Sequence, residues 1–191
     1  MKKVVLIGAC AAVVWLAGCG AGPYNYARTY KPNMAEKPLL KVADTPNYSE
    51  LTLRTEEWKG QLITWFGVVL SVEPAQGGKH LVRLAHVLHQ ERHLCKDEGS
   101  RTCRVTVSDA RTGEFSALLD IKASDLEPGL DKLQPGSLLR VYGKLRCGVD
   151  PEKGLACERD SNDMVLLEGV AYRHFPPRHY VTPRRATEMR R

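Results

Sequence analysis

Leu62-Ile-Thr-Trp-Phe-Gly-Val-Val-Leu-Ser-Val72 is the stretch on which the fold turns. It is rich in β-branched and aromatic residues, the composition of a strand. One alternate set is Leu62, Thr64, Phe66, Val68, Leu70 and Val72; the other is Ile63, Trp65, Gly67, Val69 and Ser71. Both sets are largely apolar, so the strand is covered on both faces for part of its length. Gly67 in its middle invites a bulge or a sharp bend. A long first strand bent in this way can serve both halves of a small barrel.

Outward from that strand, Pro74–Gly78 reads as a turn and His80–His89 as a second strand. After a polar loop, Gln90–Thr102, the run Cys103-Arg-Val-Thr-Val-Ser108 alternates cleanly. A turn around Asp109–Gly113 then leads into Glu114–Ile121, which predicts a hairpin. Ser124-Asp-Leu-Glu127 has the form of a capping box, and Pro128 and Gly129 hold the helix that follows to one or two turns. Ser137–Leu145 and Asp163–Tyr172 are the last two strands. The order predicts an all-β domain over 52–175: a small closed OB-like barrel of five or six strands, with one short helix before the penultimate strand.

The N-terminal end reads as an address. Lys2 and Lys3 precede an uncharged, mostly apolar run, Val4–Ala17, which is too short for a comfortable membrane span. It closes on Leu16-Ala17-Gly18-Cys19, which resembles the lipobox of bacterial lipoproteins. That resemblance implies a cleaved signal over 1–18, an acylated Cys19 held in membrane lipid, and a place in the bacterial cell envelope. Gly20 rather than aspartate after the cysteine implies the outer membrane. Residues 19–51 carry Pro23, Pro32, Pro38 and Pro46 without periodicity, as expected of a tether. Tyr24, Tyr26 and Tyr30 suit either the lipid interface or packing back on the domain.

Cys95, Cys103, Cys147 and Cys157 remain after processing. They form an even set in an oxidising compartment, and disulfides are their default reading. The local pairing, Cys95 with Cys103 and Cys147 with Cys157, pins two loops; the crossed pairings stay open. Their spacing does not match zinc knuckles. His86, His89 and His93 would share one face of a helix, but the segment reads better as a strand, where they are expected to be solvated. No metal site and no cofactor are expected.

Taken together, the lipobox, the proline-containing tether, Gly60–Leu70, Gly113-Glu-Phe115 and Pro135-Gly-Ser-Leu-Leu-Arg-Val-Tyr-Gly143 resemble the Slp-type outer-membrane lipoproteins over about residues 58–172. That resemblance implies a location and a barrel and transfers no reaction. No Gly-x-Ser-x-Gly, His-Glu-x-x-His or Gly-x-Gly-x-x-Gly motif occurs in the sequence. The expectation is a non-catalytic envelope lipoprotein with an interaction or structural role, its partners an envelope protein or cell-wall glycan; the alternative is an OB-type polymer-binding module. Trp65, Phe66, Arg140 and Tyr142, with Arg173 and Arg178, form the candidate binding surface, against the simpler reading of Trp65 and Phe66 as core. The net charge of +6 is uneven. Lys2 and Lys3 lie in the signal, and residues 173–191 hold six arginines against Glu188. The barrel is therefore nearly neutral, which disfavours nucleic acid. Residues 176–191 read as a basic tail, either frayed or in contact with anionic lipid or glycan.

Overall fold

Strand β2, Leu62–Pro74, pairs antiparallel with two different neighbours along its length. Its first half, Leu62–Val68, runs against β5 (Leu138–Arg146); its second half, Phe66–Pro74, runs against β3 (His80–Cys95). The computed structural model describes residues 25–27, 30–95, 103–146, 149–150, 154–155 and 165–189. Strand β4 (Arg104–Leu119) pairs with β3, and β8 (Val165–Phe175) lies parallel to β4 and antiparallel to β5. The circuit β2-β3-β4-β8-β5 returns to β2 and closes a five-stranded barrel. Helix α4, Ala123–Leu126, sits between β4 and β5. This is the expected OB-type order. Two short strands, β6 (Val149–Asp150) and β7 (Gly154–Leu155), pair with each other in the connection from β5 to β8.

The inward set of β2 packs as the alternation requires. Ile63, Trp65 and Val69 meet Leu84, Phe115, Leu139, Val141 and Leu167 in one buried cluster. Gly67 is in the same set, and its role is close approach: a Cβ there would stand 2.8 Å from Leu84 Cβ and 2.9 Å from a Phe115 ring carbon. The register irregularity falls two residues later, between Val69 and Ser71, and not at Gly67 as the sequence suggested.

Two expectations need correction along β3 and β4. The loop predicted from Gln90 does not begin there, because β3 runs on to Cys95. The hairpin turn predicted at Asp109–Gly113 is absent, because β4 is one continuous strand of 16 residues. The turn-forming residues are taken up as bulges. Val87 faces Arg111 while His89 faces Val107, so Ser108–Ala110 are looped against Leu88 alone. The Ser108 hydroxyl accepts a bond from Leu88 N–H and donates to the Ala110 carbonyl, which holds the backbone across the irregularity.

The described segments on either side of the barrel are also more structured than predicted. The segment expected as tether is, from Tyr30 onward, part of the folded body. It forms α1 (Glu36–Leu40) and the start of α2 (Tyr48–Leu53), and α3 (Thr55–Trp58) follows before β2. Leu51 is wholly buried in the main core, and Pro46 carbonyl accepts from Trp65 Nε1 at 2.7 Å. Tyr48 lies over Gly113, where a Cβ would be only 2.1 Å from its ring, and donates to Glu114 carbonyl at 2.7 Å. Strand β1 (Asn25–Ala27) adds to the edge of β3. At the other end the basic segment, expected either frayed or in contact with an anion, is docked on the barrel. Strand β9 (Tyr180–Val181) runs parallel to β4, and α5 (Pro183–Met189) follows it. Val181 and Ala186 bury against Leu94 in a small separate cluster. Among the described residues no helix is long and apolar enough to cross a membrane.

Candidate anion-binding site

The outward face of β2, β5 and β8 carries a row that pairing makes explicit. Phe66 is opposite Arg140, and Arg140 is opposite Arg173. One step either way, Thr64 is opposite Tyr142, and Leu138 is opposite both Val68 and Phe175. The outward alternate set thus places aromatic, arginine and hydroxyl groups on one patch. The patch is covered. Phe66 and Phe175 pack with Val87, Val105, Val107 and Leu138, and Tyr30 and Tyr180 close over them.

Glu36 sits at the centre of the cover, only 2% exposed. Its Oε1 accepts from Tyr30 hydroxyl at 2.5 Å and from Tyr142 hydroxyl at 3.2 Å. Its Oε2 accepts from Arg173 Nη1 at 2.7 Å and from Asn33 N–H at 2.9 Å. Burial pushes the carboxyl up, but the bonds from Tyr30, Asn33 and Arg173 outweigh it and hold Glu36 below the usual carboxylate range. Burial, reinforced by the contact with Glu36, keeps the Tyr30 and Tyr142 phenols protonated and donating. Arg140 donates from Nε to Thr64 Oγ1 at 3.1 Å and lies over the rings of Tyr30, Phe66 and Tyr142 at 4.7–5.1 Å.

His89 and His93 lie at the edge of this patch, with their Nε2 atoms 3.0 Å apart. Phe66 stacks on His89 at 4.7 Å, and Tyr30 meets both rings edge-on. One imidazole must donate and the other accept, so the two rings are not both protonated. Burial lowers both to about 4, His93 and Arg140 adding to the effect on His89 and Arg173 to that on His93. His86 is buried against Tyr48, Trp65 and Phe115, bonds to Thr112, and is also brought down to about 4 by burial. The expectation of solvated histidines is therefore corrected. Neighbouring arginines make the His89–His93 pair a poor place for a cation, and among the described residues no three His, Cys, Asp or Glu side chains converge as metal ligands.

A second feature lies at the C-terminal end. A cleft of about 260 Å³ opens between the start of β4 and the β9–α5 segment, lined by Arg104, Pro177, Arg178, Tyr180, Arg185 and Glu188. Its walls are fixed from several sides. His179 carbonyl accepts from Val105 N–H at 3.0 Å, and Tyr180 hydroxyl donates to Gly136 carbonyl at 2.8 Å. Arg104 Nε donates to Arg178 carbonyl at 2.8 Å, and Arg178 pairs with Asp131. With Arg178 paired to Asp131, three guanidiniums still stand against two carboxylates, Glu188 and Asp131, and that surplus in a concave site favours an anion.

The candidate surface named from the sequence therefore divides. Trp65, 1% exposed, is core. Phe66, Arg140 and Tyr142 are buried under the N-terminal segment with the half-buried Arg173, and do not form an open face. Arg178 alone is exposed, in the cleft. Sequence reasoning missed Glu36, Arg104 and Arg185. The one available signal was Arg140 inside an apolar strand, which calls for a buried partner without naming it. Cys19, Cys147 and Cys157 lie outside the described residues.

No protein-family model matches the chain, and no curated protein matches it. Among solved structures, a small single-stranded DNA-binding protein from Streptomyces coelicolor is similar over 60% of this chain and 91% of its own, at 18% identity and a TM-score of 0.36. That likeness brings no ligand to this chain.

Proposed function

We propose that this chain is a lipid-anchored module of the bacterial cell envelope, which uses an OB-type barrel to contact an anionic envelope glycan without catalysis. The observation that carries the reading is the cleft of Arg104, Arg178 and Arg185, because it gives the basic C-terminal segment a fixed shape and a fixed seat on the barrel. The anchor rests on the lipobox ending at Cys19, in the outer membrane by the identity of Gly20. A Cys95–Cys103 disulfide is supported by register: Leu94 pairs with Arg104, so the two cysteines stand at adjoining strand ends. Cys147 and Cys157 would pin the connection after β5 in the same way. The nearly neutral barrel speaks against nucleic acid as the partner.

The test uses the full chain extracted from membranes in mild detergent. Its intact mass is expected to carry a diacyl or triacyl group on Cys19, and an unmodified N-terminus at another residue overturns the anchor. The same protein is expected to bind purified cell-wall sacculi at low salt and to elute as salt rises, since exposed charge contacts are screened within about 10 Å at 0.1 M. The double variant R178E/R185E is expected to lose retention by roughly tenfold, the scale of one to two rim charge contacts. No retention at low salt, or equal retention of the double variant, rejects the glycan reading. Tighter retention on single-stranded DNA than on sacculi replaces it with nucleic acid.

A further inference from the structure

Arg140, buried, and Arg173, half-buried, stand directly opposite each other in the β5–β8 ladder. Like charges in that relation oppose strand pairing, so the barrel as built calls for an anion at this place. The anion is Glu36, and Glu36 does not belong to the barrel. It is on α1, a helix of five residues, far too short to be stable alone. From Lys31 to Pro38 it is the only buried residue, and Met34 beside it is 87% exposed. Between Lys31 and Pro38 the polar contacts with the barrel run through the Lys31 carbonyl and the Glu36 carboxylate, next to the Tyr30 ring.

We propose that the outer face of β2, β5 and β8 is a receptor for a carboxylate, and that Glu36 is its internal, exchangeable occupant. The geometry favours a carboxylate over other anions. The barrel reads the two oxygens of Glu36 separately, Oε1 by Tyr142 hydroxyl and Oε2 by Arg173 Nη1, while Tyr30 hydroxyl and Asn33 N–H on the covering segment itself complete the set. Arg140, tied to Thr64, supplies the second charge over the aromatic rings. When the Tyr30–Leu40 segment lifts, the barrel offers Tyr142, Arg140 and Arg173 to the carboxylate of an acidic partner. This site is distinct from the arginine cleft, and its test is independent of glycan retention.

The experiment empties the receptor and refills it. Full-length Glu36→Ala is titrated with acetate and, at matched ionic strength, with chloride, and the thermal midpoint is followed. Acetate is expected to raise the midpoint in a saturable way while chloride does not, and wild type is expected to show no difference between the salts. Glu36→Gln, whose amide fills the same space, is expected not to respond. Adding Arg173→Gln to Glu36→Ala is expected to abolish the response. If Glu36→Ala does not fold in dilute buffer, refolding yield in acetate against chloride is the readout. Equal effects of acetate and chloride on the alanine variant, or an acetate response in Glu36→Gln, overturn the proposal.

Discussion

Glu36→Ala is expected to cost about 3–5 kcal/mol of folding stability at neutral pH, the range for removing one partner of a buried ion pair. Most of that does not come from the attraction itself. The substitution leaves Arg173, with its side chain 29% exposed, facing Arg140 across the ladder with no counter-charge. It also strips Tyr30, Tyr142 and Asn33 N–H of their acceptor at once. Deleting a single donor is milder: Tyr142→Phe removes one neutral hydroxyl and is expected to cost about 1 kcal/mol. Glu36→Gln falls between, because the amide keeps an acceptor oxygen but not the charge. Urea denaturation at pH 7 measures all three. A loss below about 1 kcal/mol for Glu36→Ala would mean that water already reaches the arginines, and that the segment carrying Glu36 does not seal the face.

The same residue marks where sequence reading stops. The barrel was legible because its signals are local: β2 is apolar on both alternate sets, and Pro135-Gly136 precedes an apolar strand. Burial of Glu36 is not local. Its arginine lies 137 residues away, and nothing in Met-Ala-Glu-Lys-Pro separates a sealed carboxylate from a solvated one. Proline and polar content made Tyr30–Leu51 look like a tether, yet the prolines only keep its helices short. At Asp109–Gly113 the error was of another kind. Turn-forming residues also suit bulges, and only the partner strand decides which they make. The seat of the 176–191 segment was not legible because its five arginines suit a frayed end or an anionic contact equally, whereas two small apolar residues, Val181 and Ala186, dock it. Trp65 and Phe66, neighbours in sequence, point to opposite faces of β2, so treating them as one surface could not hold.

Acid is expected to unfold this protein well before its carboxylates alone would, because three histidines are folded in as neutral rings. His86, His89 and His93 each stand at about 4, against about 6.5 in an unfolded chain. Between those values the unfolded chain binds protons that the folded chain refuses. Stability is therefore full above about 6.5, falls as pH drops, and levels off for these groups below about 4. One ring shifted this far is worth on the order of 3 kcal/mol. His89 and His93 share a single hydrogen bond and titrate as a pair, so the three do not simply add. The groups facing them set the direction. His89 meets Phe66, Tyr30 and Arg140, and His93 meets Tyr30 and Arg173, so protonation adds charge where two arginines already converge. His86 meets Tyr48, Trp65, Phe115 and Thr112, with no carboxylate to receive an imidazolium. Glu36, held low, acts in the same direction once pH falls below its unfolded value. Chemical denaturation at half-unit steps from pH 7.5 to 4.5 should show uptake of two to three protons on unfolding near pH 5. His86→Gln should lower that uptake by about one and leave the Tyr30 cover in place. His89→Gln should flatten the curve and also weaken the cover, which is visible as faster cleavage by trypsin after Lys41, at the end of the covering segment. Stability that is level from pH 7.5 to 4.5 would mean that the rings are hydrated, and the sealed face would have to be abandoned with them.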